Sequence, residues 1–191
     1  MSDVELPYVS KPHDFLDLGP VEVEPLAKMV SGLPAELWSV ADTLKENKFN
    51  VFDHTQHIIF RFTTGNIDPR KHYDTPFWKT WERHLTPVMD TVVSQYEHKQ
   101  PAYSKVMLAL LKSGQRIAPH VDGGGSNLTS HKIHIPLQSN PKATLSVRGK
   151  ERHLEVGRAY EINNIAKHGA ENLGSQDRIH LIFEHYNEVY G

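Results

Sequence analysis

The 191-residue chain has 21 Lys+Arg against 23 Asp+Glu, a net charge of −2, and is 38% hydrophobic, which fits one domain large enough to bury a core. Near charge balance leaves no basic stripe for nucleic acid. The absence of cysteine excludes disulfides, thiolate metal sites and cysteine nucleophiles, so any metal must be held by nitrogen and oxygen.

In chain order, MSDVELPYVS has neither a cationic start nor an apolar stretch, so it is not read as a signal peptide. The longest apolar run, Val106–Leu111, is too short to span a bilayer. The expectation is a cytoplasmic protein with no membrane partner. From about Val21 to Tyr96 the signals are mostly helical. Pro34 with Leu37, Trp38, Ala41 and Leu44 predicts a short amphipathic helix with Pro in its first turn. Ile58–Phe62 alternates as a strand. Thr75-Pro76 opens a second helix with Phe77, Trp81, Leu85 and Val88 on its apolar face. Pro87 falls inside that pattern and predicts a kink, or a fresh start with Thr86 as N-cap.

From Ala102 onward the pattern changes to strands. Val106–Leu111 reads as buried, and His131–Gln138 alternates Ile133, Ile135 and Leu137 against Lys132, His134 and Pro136. Ala143–Arg148 and Arg152–Val156 flank a hairpin turn at Gly149-Lys150. Ala159–Asn163 and Arg178–His185 complete the series. Short strands with glycine turns predict a mainly β sandwich or barrel with helices from the first half packed on it. One domain over 1–191 is expected, residues 1–100 a mixed helical support and 101–191 the β core carrying the site.

Chemistry concentrates in that core. His120 and Asp122 in RIAPHVDGGGSN are two residues apart, and residues i and i+2 of an extended segment point the same way. His168 follows in NNIAKHGAEN. Two histidines and a carboxylate are the set that binds iron(II) on one face and leaves the other positions open. Such a nitrogen–oxygen set also takes Mn, Co, Ni or Zn. With thirteen histidines in the chain, the spacing of these three does not decide the matter alone. His13, His54, His57, His72, His84, His98, His153 and His185 read as solvated or hydrogen-bonded surface imidazoles. Arg178, ten residues past His168, adds weight: a guanidinium on an interior strand position needs a partner, and a carboxylate ligand supplies one in bidentate geometry. Gly123-Gly124-Gly125 is not a phosphate loop, since no Lys-Ser/Thr follows and no helix is expected to begin there. It reads as a flexible connection beside the site.

Together His120-Val-Asp122-Gly, Lys132-Ile-His134-Ile-Pro-Leu, Gly157-Arg-Ala-Tyr-Glu-Ile-Asn-Asn, His168-x-x-x-Asn172 and Arg178-Ile-His-Leu-Ile resemble the aspartyl/asparaginyl β-hydroxylases, a family of iron(II)- and 2-oxoglutarate-dependent oxygenases. The resemblance covers about half the chain, His120 to His185. It implies a double-stranded β-helix (a cupin-like jelly roll), His120, Asp122 and His168 as ligands of Fe(2+), and 2-oxoglutarate and O2 as co-substrates. It further implies that Arg178 binds the distal carboxylate of 2-oxoglutarate and that His134 lies beside it. Lys132 stands where the family usually has arginine, so the charge is kept and the bidentate fork lost. The implied substrate is a free amino acid or a peptide or protein, with Arg116, Lys132, His131 and Asn164 as candidate contacts. Asn163 and Asn164 are alternatively turn residues or braces for the metal ligands. A cupin metalloenzyme that uses no 2-oxoglutarate (an isomerase or dioxygenase) and a non-catalytic barrel binding protein are the competing readings.

Overall fold

The computed structural model describes residues 5–43 and 54–189. Leu44, expected on the first helix, and Met1–Val4 of the N-terminal reading lie outside them. Among the described residues two antiparallel sheets face each other. The larger is ordered β1-β9-β6-β11-β4-β2-β3 and the smaller β5-β10-β7-β8. Their spans are β1 Phe15–Pro20, β2 Thr55–Thr63, β3 His72–Asp74, β4 Pro101–Leu111, β5 Arg116–His120, β6 His131–Gln138, β7 Ala143–Val147, β8 Lys150–His153, β9 Arg158–Ile162, β10 His168–Asn172 and β11 Arg178–Asn187. This is the expected mainly β jelly roll. The first hundred residues supply more than helices: β1, β2 and β3 all join the larger sheet.

Three helices, α1 Glu24–Ser31, α2 Ala35–Thr43 and α3 Trp78–Val93, accompany that sheet. Alternation along the central strands decides what each face meets. Ile179, Leu181 and Phe183 of β11, Ile133 and Ile135 of β6, and Val106 and Leu108 of β4 join Leu26, Trp38, Trp81, Leu85 and Met89 of the helices in one core. Each fully buried side chain of this size contributes about 1.5–3 kcal/mol. The opposite face carries Arg178, His180 and Glu184 of β11, Lys132 and His134 of β6, and Lys105 of β4. It looks toward the smaller sheet: Tyr160, the register partner of His134, packs with Leu145 and Val147 of β7. All ten residues of β11 are buried, so both faces of this strand are covered and its polar residues line the barrel interior.

Four expectations change. α3 runs through Pro87 as one helix rather than restarting at Thr86. Pro87 is exposed, so water can serve the carbonyl its missing N–H leaves unpaired. The hairpin turn sits one residue earlier, with Arg148 and Gly149 both at positive φ (50° and 77°), the twist a two-residue hairpin favours. A one-turn helix, α4 Ser126–Thr129, does begin after the triple glycine. Gly125, at φ 66°, passes so close to the Asn66 backbone that a Cβ there would clash, which pins the segment. Finally, His185 is fully buried rather than solvated. His185 continues the series Ile179, Leu181 and Phe183 on the helix side, where its ring stacks on that of its register partner His131 at 4.9 Å.

Candidate metal centre

The ends of two adjacent strands of the smaller sheet create the site. His120 closes β5, His168 opens β10, and the two are register partners, their ring centroids 4.3 Å apart. Their close approach depends on Gly169, where a Cβ would lie 2.9 Å from the Ile117 carbonyl oxygen. Asp122 stands just past β5, its backbone N–H donating to the Asn164 carbonyl at 3.1 Å. The three residues offer ligand atoms that all lie within 4.8 Å of one another.

The bonds around the triad orient it for a cation. In each imidazole Nδ1 lies 2.9 Å from a carbonyl two residues earlier, Ala118 for His120 and Ala166 for His168. That contact makes Nδ1 the protonated nitrogen and leaves the Nε2 lone pair for a metal. The two Nε2 atoms lie 3.5 and 3.6 Å from the same oxygen, Asp122 Oδ1. The other oxygen, Oδ2, accepts from Lys132 Nζ at 2.6 Å and from Asn164 Nδ2 at 3.1 Å. One carboxylate oxygen is thus braced and the other faces the histidines. Burial alone would raise the Asp122 carboxyl, but Lys132 and the two imidazoles hold it well below the usual carboxylate range. The donors are two neutral nitrogens and one anionic oxygen, and they fit iron(II).

Deeper in the barrel lies a second polar group. Arg178 is 3% exposed, and its Nε and Nη1 have no partner among the described residues. Burial pulls the guanidinium down to about 10. His134 lies between it and the metal ligands. Burial, then Lys132, Arg178 and His168 in turn, hold this imidazole well below its usual range. Its Nδ1 is 3.4 Å from that of His180, whose Nε2 is also unpartnered among the described residues. A buried cation and a buried imidazole nitrogen left open are costly unless a ligand completes them. An anionic, hydrogen-bonding guest fits.

The other sequence candidates separate. Lys132 and Asn164 meet at Asp122. Arg116 is exposed at the opposite end of β5 from His120, about 13 Å away along the strand. His131 is on the helix face, its Nδ1 2.7 Å from Glu161, which also accepts from the Tyr96 hydroxyl at 2.7 Å. Three interior residues were not marked by the sequence: Glu184 and Lys105, paired at 2.9 Å, and Asn127, which accepts from Lys105 at 3.1 Å and donates to the Asp122 carbonyl at 3.0 Å. The only sequence signal for Lys105 and Glu184 was their polar character at alternate positions of apolar strands.

Known proteins give this arrangement its context. No curated protein sequence matches the chain. Among solved structures it resembles an oxidoreductase of the 2OG-Fe(II) oxygenase family from Burkholderia pseudomallei, at 10% identity over 96% of this chain and 95% of that one, with a TM-score of 0.53. It also resembles the viral collagen prolyl hydroxylase of Paramecium Bursaria Chlorella virus-1, solved with 2OG, at 8% identity over 91% and 96% (TM-score 0.53). A third likeness is to the non-heme monooxygenase ThoJ in complex with nickel, at 11% identity over 91% and 74% (TM-score 0.55). At these identities the likeness is one of fold. The aspartyl/asparaginyl beta-hydroxylase profile, by contrast, matches residues 71–188 of the sequence itself. The chain belongs to the aspartyl/asparaginyl β-hydroxylase family and is a hydroxylase.

Proposed function

We propose that His120, Asp122 and His168 hold the iron, that Arg178 receives the distal carboxylate of 2-oxoglutarate, and that His134 and His180 border the same co-substrate. The product is a hydroxylated C–H of a free amino acid or of an Asp/Asn-type residue in a peptide, made by a single-domain cytoplasmic enzyme with no nucleic-acid or membrane partner. Among the described residues no helix is long and apolar enough to cross a membrane. The observation that carries the assignment is the buried Arg178 guanidinium with Nε and Nη1 unmatched, in a barrel whose mouth holds the metal triad. A cupin that uses no 2-oxoglutarate, or a barrel without chemistry, leaves that charge unanswered.

Bound together, iron(II), 2-oxoglutarate and O2 supply the oxidising power, the substrate gaining one oxygen atom while succinate and CO2 leave. The chain's own residues position and exclude. Lys132 and Asn164 fix Asp122 so that Oδ1 alone faces the metal position. Ala118 and Ala166 fix the imidazole tautomers. Arg178 offers the N–H groups of Nε and Nη1, unpartnered among the described residues, to a carboxylate in a buried site, where a charged hydrogen bond is strongest. Lys132 is too committed to Asp122 to serve as the main co-substrate contact, so its part is to brace the ligand.

The test is anaerobic. The iron(II)-loaded protein is titrated with 2-oxoglutarate and the charge-transfer absorption followed. Binding is expected, with slow succinate formation on admitting air, and His120→Ala abolishes both. Metal-loaded protein that ignores 2-oxoglutarate sinks the assignment. Arg178→Ala weakens 2-oxoglutarate binding and keeps the metal; equal loss of metal would show that the two roles are not separate.

A further inference from the structure

We infer that Lys11, carried across the mouth of the barrel by the N-terminal segment, anchors a carboxylate of the substrate. This rests on the hydroxylase assignment above and adds the charge of the molecule that the site accepts. The segment is tied down by backbone and amide bonds. Val9 N–H donates to the Leu128 carbonyl at 2.8 Å, and Asn163 N–H to the Asp14 carbonyl at 3.2 Å. The Asn163 side-chain amide donates to the Lys11 carbonyl at 2.9 Å. The Lys11 ammonium thereby reaches the metal surroundings, donating to Asn164 Oδ1 and to the Asn127 carbonyl. Asn164 is the residue whose amide nitrogen braces Asp122, so the ammonium is separated from a metal ligand by one amide group.

The partners of Lys11 are amide oxygens, not carboxylates, and the nearby acids are taken. Glu184 lies 2.9 Å from Lys105 and 3.7 Å from Lys132. Asp122 pairs with Lys132 at 2.6 Å. Glu161 shares the face of Ile133, its register partner, and is bound there by His131 and Tyr96. Around the site, Lys11, Lys105, Lys132 and Arg178 stand against Asp122, Glu184 and, acting on Lys11 from the helix face, Glu161, an excess of one positive charge. An iron(II) ion and a 2-oxoglutarate dianion cancel each other and leave that excess in place. Burial draws the Lys11 ammonium down to about 8, so it is still mainly charged at neutral pH. A half-buried cation whose hydrogen-bond acceptors are neutral amide oxygens is a cost to the fold that an anionic guest removes. That remaining charge is the one a substrate carboxylate would answer, and Lys11 is held for it against Asn164 and Asn127, beside the metal ligands. A substrate carrying a free carboxylate near its reacting carbon satisfies it; the corresponding amide does not.

The experiment first establishes anaerobic 2-oxoglutarate binding by the wild-type protein, where failure of the hydroxylase assignment would register. Common amino acids and acidic dipeptides are then offered in pairs, each as its carboxylate and as its carboxamide, and stimulation of succinate formation is measured. Carboxylates are expected to stimulate and their amides not. For the best carboxylate, Lys11→Met raises the half-saturating concentration by about tenfold to a hundredfold, and Lys11→Arg largely restores it. Melting of the ligand-free protein separates anchoring from bracing. Loss of an unneeded half-buried cation in Lys11→Met raises Tm, whereas a lysine present only to hold Asn164 and Asn127 lowers it when removed. The proposal is overturned if no carboxylate outperforms its amide, if half-saturation is unchanged in Lys11→Met, or if that variant melts lower than wild type.

Discussion

Arg178→Met separates function from stability most cleanly. The guanidinium is 3% exposed and burial draws it down to about 10, which corresponds to roughly 3 kcal/mol against the charged form. Methionine fills a similar length with no polar group, so in the absence of ligand the variant should be more stable by about 1–3 kcal/mol, allowing for imperfect repacking. For a domain of this size that is a rise in Tm of about 3–10 °C. Wild type should be further stabilised by 2-oxoglutarate in the presence of Mn(II) or anaerobic Fe(II), as RT ln(1 + [L]/Kd) requires. The variant should lose that increment while still being stabilised by the metal alone. Thermal melting with and without each ligand reads all of this. A variant that melts lower than wild type yet keeps its response to 2-oxoglutarate would refute the reasoning, because it would make Arg178 a structural residue.

Further outcomes follow from the same geometry. Lys132→Met frees Asp122 Oδ2 from its 2.6 Å partner. Loss of such a brace should weaken metal binding about 10- to 100-fold in competition with a chelator; unchanged affinity would mean Asn164 suffices. Gly169→Ala introduces a Cβ 2.9 Å from Ile117 O and 3.2 Å from Pro119 N, prising β5 from β10. It should cost about 1–3 kcal/mol of stability and weaken metal binding by moving His120 from His168, and an unaltered Tm would contradict the close approach. The Glu161 carboxyl would be raised by burial, yet the bonds from His131 and Tyr96 hold it below its ordinary 4.5. A depressed acid stabilises the fold above its unfolded value, and the contribution is lost as pH falls through the folded one. Between about pH 5 and pH 3 the wild-type Tm should therefore fall more steeply than that of Glu161→Gln; parallel slopes would dispose of the pairing.

The jelly roll was legible because its strands alternate. Ile133 and Ile135 against Lys132 and His134 announced a sheet with one apolar face and one polar face, and the structure uses them that way. The pair His120 and Asp122 was legible for a similar reason, since two residues of one extended segment share a side. Other features had no local signature. β10 is too short and polar to read as a strand, yet it carries His168 into register with His120. His185 ends the helix-facing series Ile179, Leu181 and Phe183 and is covered by Tyr96, His98 and His131, a meeting of distant segments, which is why it read as a surface residue and became a buried one. Pro87 signalled a break that the packing of Trp81, Leu85 and Met89 overrides. Arg116 and His131, near the site in sequence, are carried away from it by strand length and strand face.

From the sequence alone came the donor chemistry: a cysteine-free chain, two imidazoles and a carboxylate in order, and an arginine on an interior strand position. Those are properties of residue types and of spacing within single strands, and they name the reaction class. The tertiary structure decided which groups share the site. It set Lys132 and Asn164 on the far oxygen of Asp122, left Nε and Nη1 of Arg178 without a partner among the described residues, and brought Lys11 from the start of the chain to the mouth of the barrel. Such meetings depend on register between strands distant in sequence and on which charges become buried together, and neither is encoded in any local stretch.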